Sequence, residues 1–112
     1  MRVSYEGIGY LAMTLPSNSA EEGQLCMVNA VGQVDKCDEG ESFCGFVEIV
    51  RDGMAAMQIE GTVEVGYTGP TPLAGYTKLS SNGKGGVKAD TSGREYLVLS
   101  MNAEKATITI KL

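Results

Sequence analysis

The chain reads as an all-β protein, a small antiparallel β-barrel or sandwich of about seven strands behind an extended N-terminal arm. Three observations predict this. From Ala55 to Tyr67 the residues alternate, with Ala55, Met57, Ile59, Gly61, Val63, Val65 and Tyr67 on one side and Ala56, Gln58, Glu60, Thr62, Glu64 and Gly66 on the other. Period-two alternation over this length is a sheet signature, because successive strand side chains point to opposite faces. Fifteen glycines in 112 residues favour turns and close backbone approaches over helices. Turn-forming pairs also recur at short intervals, and no linker to a second domain or solenoid-length repeat interrupts them. The expected organisation is an arm over residues 1–23 and one β-barrel domain over residues 24–112.

The elements follow in order. The first half of the arm can be extended, while Pro16 to Gly23 is polar and turn-rich. Its apolar Ile8, Tyr10, Leu11 and Met13 leave two readings open: a loosely attached terminus, or a segment that orders against a partner. Gln24 to Val31 reads as a strand, and the turn Val31-Gly32-Gln33-Val34 leads into a short partner. Asp38-Glu39-Gly40-Glu41 is an acidic turn without the regularly spaced ligands of a calcium loop. Phe43 to Val50 is a strand apolar on both faces, with Phe43, Val47 and Ile49 on one and Cys44, Phe46 and Val50 on the other. Such a strand lies in a barrel covered by another layer or in a subunit interface. With no long helix to supply the layer, the interface gains weight.

Arg51-Asp52-Gly53 turns the chain into the long alternating strand, with a bulge or barrel corner expected at Gly61. Thr68-Gly69-Pro70-Thr71-Pro72 is a rigid loop. Gly75 to Leu79 and Val87 to Ala89 pair across the Asn82-Gly83 hairpin signal, where Gly85-Gly86 adds slack. Arg94 to Met101 is again apolar on both faces. A turn over Asn102 to Lys105 then leads into Ala106 to Leu112, where Ala106, Ile108, Ile110 and Leu112 point inward.

The composition narrows the function. A net charge of −5 repels phosphate backbones and argues against nucleic acid. The chain lacks histidine, the commonest proton carrier near neutral pH and the usual base for a cysteine nucleophile. Glu60 and Glu64 share a strand face but stand roughly 13 Å apart by strand rise, too far for a glycosidase pair. The Gly83-Lys84-Gly85-Gly86 stretch lacks the spacing of a phosphate loop. Cys26, Cys37 and Cys44 form neither a disulfide framework nor a zinc motif. They are expected to be reduced thiols in a cytoplasmic product. No cofactor is expected, and with no leader-like N-terminus or stretch of ~20 apolar residues, neither is a membrane.

The segments "VSYEGIGYLAMTL", "EEGQLCMVNAVGQVDKCDEGESFCGFVEIVRDGMAAMQIEGTVEVGYTG", "GYTKLSSNGKGGVK", "GREYLVLSMN" and "ATITIKL", in that order, carry a resemblance. The frame is Gly23, Gly32, Phe43-Cys44-Gly45, Arg51-Asp52-Gly53 and Gly61. In this frame the chain resembles the small capsid decoration proteins of tailed bacteriophages and of prophages of Gram-positive gut bacteria. The likeness spans nearly the whole chain and consists of structural glycines and apolar strands, not a catalytic signature. It implies a β-rich cement protein made in the host cytoplasm and assembled as a homotrimer on the virion capsid surface. There it clamps the major capsid protein at three-fold or quasi-three-fold sites. The resemblance also implies an arm that orders against the capsid, for which Val3, Tyr5, Ile8, Tyr10 and Leu11 are the candidate contacts. Phe46, Val50, Tyr96 and Val98 are the candidate trimer seam. Either set can instead be ordinary core, and for the second set that reading has nearly the same weight. Removing residues 1–15 is expected to leave a folded trimer that no longer binds capsids. The rival readings are another minor head or tail component, a small ligand-binding barrel, and an enzyme with carboxylates assembled across strands.

Overall fold

A computed structural model describes residues 11–112, and those residues contain strands and no helix. Five strands form one sheet: β1 (Leu11–Pro16), β2 (Leu25–Val28), β3 (Val34–Lys36), β4 (Gly45–Arg51) and β5 (Met54–Glu60), in the order β1-β5-β4-β2-β3. The other five close into a barrel: β6 (Thr62–Thr68), β7 (Gly75–Ser81), β8 (Val87–Ala89), β9 (Arg94–Asn102) and β10 (Thr107–Lys111), in the order β10-β6-β8-β7-β9. The closed barrel therefore uses residues 62–111, and the residues before it build a separate sheet.

Ten strands stand where the sequence suggested about seven. The main additions are β1, drawn from within the arm, and the division of the long alternating strand at Gly61. Gly61 has φ of +97°, a conformation that side-chain-bearing residues rarely adopt, and the chain leaves one sheet there and enters the other. The corner was legible; the change of sheet was not. Buried Gln58 fastens it, its Nε2 donating to the Glu60 carbonyl at 3.0 Å and the Thr62 carbonyl at 2.9 Å. The alternation itself holds, since Ala55, Met57, Val63 and Val65 are all buried.

The expected turns form. Asp52 and Gly53 both have positive φ, joining β4 to β5 in the tight reversal that suits the right-handed twist of a hairpin. The Asn82–Gly86 loop joins β7 to β8, with the Asn82 side chain accepting from the amides of Lys84 and Gly86. The barrel departs from the antiparallel expectation in one pairing: β8 also lies parallel to β6, through Tyr67↔Val87 and Thr68↔Lys88, and this pairing completes the closure. Gly86 permits it, because a Cβ there would overlap the carbonyl oxygen of Gly66 on β6. The glycine expected as slack is thus a point of close backbone approach.

There are two cores. The barrel is filled by Val63, Val65, Leu79, Val87, Tyr96, Val98, Ile108 and Ile110, joined by Leu25, Cys37 and Phe43 from the sheet side. The five-stranded sheet folds over a smaller core of Cys26, Val34, Val47, Ala55 and Met57, against which Leu15, Ala20 and Val50 pack. Phe43 stacks on Tyr96 with centroids 4.1 Å apart, and the Tyr96 hydroxyl donates to the Phe43 carbonyl at 2.6 Å. The two halves are therefore one body, and the Cα radius of gyration of 13.5 Å is that of a compact chain of this length.

Candidate binding surfaces

β1 is the first candidate surface. Six residues of the expected arm form a strand of this chain's own sheet, paired antiparallel with β5 from Leu11↔Glu60 to Pro16↔Met54. Beyond Pro16 the chain is pinned across the sheet end. Ser17 bridges Val34, the Asn18 amide donates to the Val34 carbonyl at 3.0 Å, and Asn18, Ser19 and Asn29 all donate to the Asp35 carboxylate. The polar stretch read as loose is held by this network. Among the described residues β1 has β5 as its only strand partner in the sheet order, while Ser17, just past its end, bridges Val34 on β3 at the opposite edge. Leu11 is 47% and Met13 42% exposed, whereas Leu15 reaches the smaller core. Of the arm contacts expected from sequence, Leu11 stands on this edge strand; Val3, Tyr5, Ile8 and Tyr10 lie outside the described residues.

The four seam candidates separate. Tyr96 and Val98 point into the barrel core, at 7% and 1% exposure, and offer little surface to a second copy. The physical reason is that β9 curves within a closed barrel, so its Tyr96 and Val98 face is interior. Phe46 packs at the margin of the barrel core and Val50 at the margin of the smaller core, and both keep partial exposure. Ile49, placed inward by simple alternation, is 50% exposed instead. A register shift between Val47 and Ile49 inserts an extra residue and turns the rest of β4 over. The outer face of the sheet then carries Ala12 and Thr14 on β1, Met54 and Ala56 on β5, and Ile49 and Arg51 on β4.

A cleft of about 530 Å³ opens where the two halves meet. Its floor is a row across three barrel strands, with Leu97 on β9 flanked by Tyr76 on β7 and Lys111 on β10. Cys44 and Ile59 line it from the sheet side, and Arg94 stands at the end of β9. The Arg94 guanidinium lies 5.8 Å from the centroid of the Tyr96 ring. Sequence reasoning missed this site, because its residues come from distant segments whose pairing no local pattern encodes.

The thiols are free. Cys26 and Cys37 are buried, which pushes the pKa of each up to about 12; neighbouring thiols add to the rise for Cys26, and Glu41 adds to it for Cys37. These two behave as the small hydrophobes expected. Cys44 is exposed, though its surroundings shield the sulfur enough to raise its pKa as well. Glu60 and Glu64 belong to different strands of different sheets, and among the described residues no group of three or more Cys, Asp or Glu converges to hold a metal.

No protein-family model, no curated protein and no solved structure matches this chain.

Proposed function

We propose that the chain is a viral structural protein that decorates and stabilises the outer surface of a tailed-phage head. It binds the major capsid protein as a homotrimer at three-fold and quasi-three-fold sites. The observation that carries this reading is β1, an edge strand in the sheet order with exposed Leu11 and Met13, directly continuous in sequence with the apolar segment before it. A sheet edge accepts a strand from a partner, whose backbone supplies affinity while alternate side chains supply fit. The acidic balance suits a protein that stays on the outside of a DNA-filled shell. Three weak edges presented by one trimer become effectively intramolecular after the first engages, which multiplies affinity by about 10² or more. Exposed Ile49 on the outer sheet face, with half-buried Phe46 and Val50 at the margins of the two cores, supplies apolar surface for contacts between copies.

Cosedimentation with undecorated heads tests the reading. Wild-type protein is expected to pellet with heads and saturate. Leu11→Asp and Met13→Asp, both at exposed positions, are expected to stay folded by circular dichroism and lose binding. Unchanged binding by both variants, or no binding by the wild type, would count against the proposal.

A further inference from the structure

We infer that Asn82 is a self-modifying site. Its side-chain amide is attacked by the main-chain nitrogen of Gly83 and converts to aspartate or isoaspartate, and the folded β7–β8 loop gates the reaction. The inference does not depend on the capsid reading and concerns the barrel closure, not β1. Three observations support it.

The first is the dipeptide. Of the four asparagines, Asn82 alone precedes a glycine; Asn18, Asn29 and Asn102 precede Ser19, Ala30 and Ala103. Glycine has no side chain to hinder approach to its nitrogen. In the step, Gly83 N bonds to Asn82 Cγ and gives its proton to hydroxide, while Nδ2 takes a proton from water and leaves as ammonia. The product is a cyclic imide. Water then opens it, either at Cγ to leave aspartate with a normal peptide bond, or at the main-chain carbonyl carbon to leave isoaspartate. No electrons are transferred, and either outcome adds one negative charge to the net −5.

The second is restraint in the folded loop. The Gly83 amide donates to Ser81 Oγ at 3.0 Å. Asn82 Oδ1 accepts from the Lys84 amide at 2.8 Å and the Gly86 amide at 3.0 Å, and the Asn82 amide donates to the Gly86 carbonyl at 3.1 Å. Ser81 is itself buried, its hydroxyl donating to the Cys37 carbonyl at 3.4 Å. Glu39 lies close over Gly83, where an added Cβ would meet it at 3.2 Å. The nucleophile is thus tied to Ser81 and the carboxamide to two amides. Ring closure requires the nitrogen to lose its proton and the carboxamide to turn, so it proceeds from the opened loop. The rate is set by the free energy of that local opening.

The third is access and consequence. Asn82 lines a groove of about 300 Å³ with Lys84 and Glu64, which gives water a route in and ammonia a route out. Aspartate keeps an acceptor oxygen for the Lys84 and Gly86 amides. Isoaspartate inserts a methylene into the main chain between Ser81, the last residue of β7, and Gly86, which has no room for a Cβ against the Gly66 carbonyl. The first product therefore preserves the β6–β8 closure and the second undoes it.

Peptide mapping by mass spectrometry tests this on the full chain, incubated at mildly alkaline pH with and without unfolding urea. In urea, conversion is expected to concentrate at Asn82 over Asn18, Asn29 and Asn102. In the native chain it is expected to run about tenfold slower or less. Ser81→Ala, which releases the Gly83 amide, is expected to speed native conversion while remaining folded by circular dichroism. Hydrogen exchange of the Gly86 amide in the wild type is an independent readout: conditions that quicken it are expected to quicken conversion in proportion. Asn82→Asp is expected to keep wild-type stability, and the isolated isoaspartate form to lose it. Native conversion as fast as in urea, no preference for Asn82 in urea, or conversion that does not follow Gly86 exchange would each overturn the inference.

Discussion

At the scale of single residues, polar satisfaction and close approach decide more than hydrophobicity does. Alternation puts Gln58 on the side shared with Glu60 and Glu64, yet it is 6% exposed and ties both carbonyls across the Gly61 corner. Gln58→Ala strands those carbonyls, and urea unfolding is expected to show a loss on the order of 2 kcal/mol. Gly86→Ala forces apart the β6–β8 closure and is expected to cost about 3 kcal/mol. Gly53→Ala meets no neighbour and carries only the positive-φ strain of about 1 kcal/mol. A larger loss at Gly53 than at Gly86 would refute this account of the barrel closure.

Titration belongs to the same scale. Asp35 is held below the usual carboxylate range mainly by the Asn18 and Asn29 side chains, and Asp90 mainly by the Ser80 hydroxyl. A depressed folded-state pKa gives stability that is present above the unfolded value and lost as pH falls through the folded one, so acid is expected to loosen the Ser17–Ser19 attachment and the β7–β8 end. The thiols run the other way. With Cys26 and Cys37 raised from 9.0 to about 12, their contribution is complete below pH 9 and is lost as pH rises toward 12. A thiol reagent at pH 8 is expected to modify Cys44 in the native protein and Cys26 and Cys37 only after unfolding. Rapid modification of all three would contradict their burial.

At the scale of elements, local patterns revealed strands and turns but not their partners. The alternation of β5 and β6, the Asp52-Gly53 and Asn82-Gly83 turns and the inward set of β10 were all legible, because each depends on neighbours in sequence. Four features were not. The parallel β6–β8 pair and the cleft join residues far apart in the chain. The bulge in β4 reverses Ile49 without a glycine to announce it. The chain from Leu11 to Ser19 can be read as a tail because a polar, turn-rich stretch follows Leu15, yet backbone pairing to β5 and the Asp35 network attach it. Removing residues 1–15 therefore takes away most of a strand as well as an arm, which revises the expectation that such a truncation is structurally neutral. Leu15→Ala is expected to cost about 1 kcal/mol through the smaller core, while Met13→Ala changes stability by no more than ~0.5 kcal/mol. Equal losses at the two positions would contradict the difference in burial between Leu15 and exposed Met13.

At the scale of the whole molecule, the division into a barrel and a five-stranded sheet does not make two independent units, because Leu25, Cys37 and Phe43 enter the barrel core from the sheet side. Tyrosine fluorescence and far-ultraviolet circular dichroism are therefore expected to give superimposable denaturant transitions; two separated transitions would contradict the shared core. The candidate surfaces differ in kind: β1 offers backbone at a sheet edge, the cleft a concave surface between the two halves. Sequence resemblance pointed toward the first and was blind to the second.

The proposed role is attachment to a viral shell through edge strand β1. Cryo-electron microscopy of undecorated heads incubated with the purified chain tests that claim most directly. Three copies around each three-fold and quasi-three-fold position, with β1 at the shell contact, is the result the account predicts. Bare three-fold positions, or density confined to the portal vertex or tail, would contradict it.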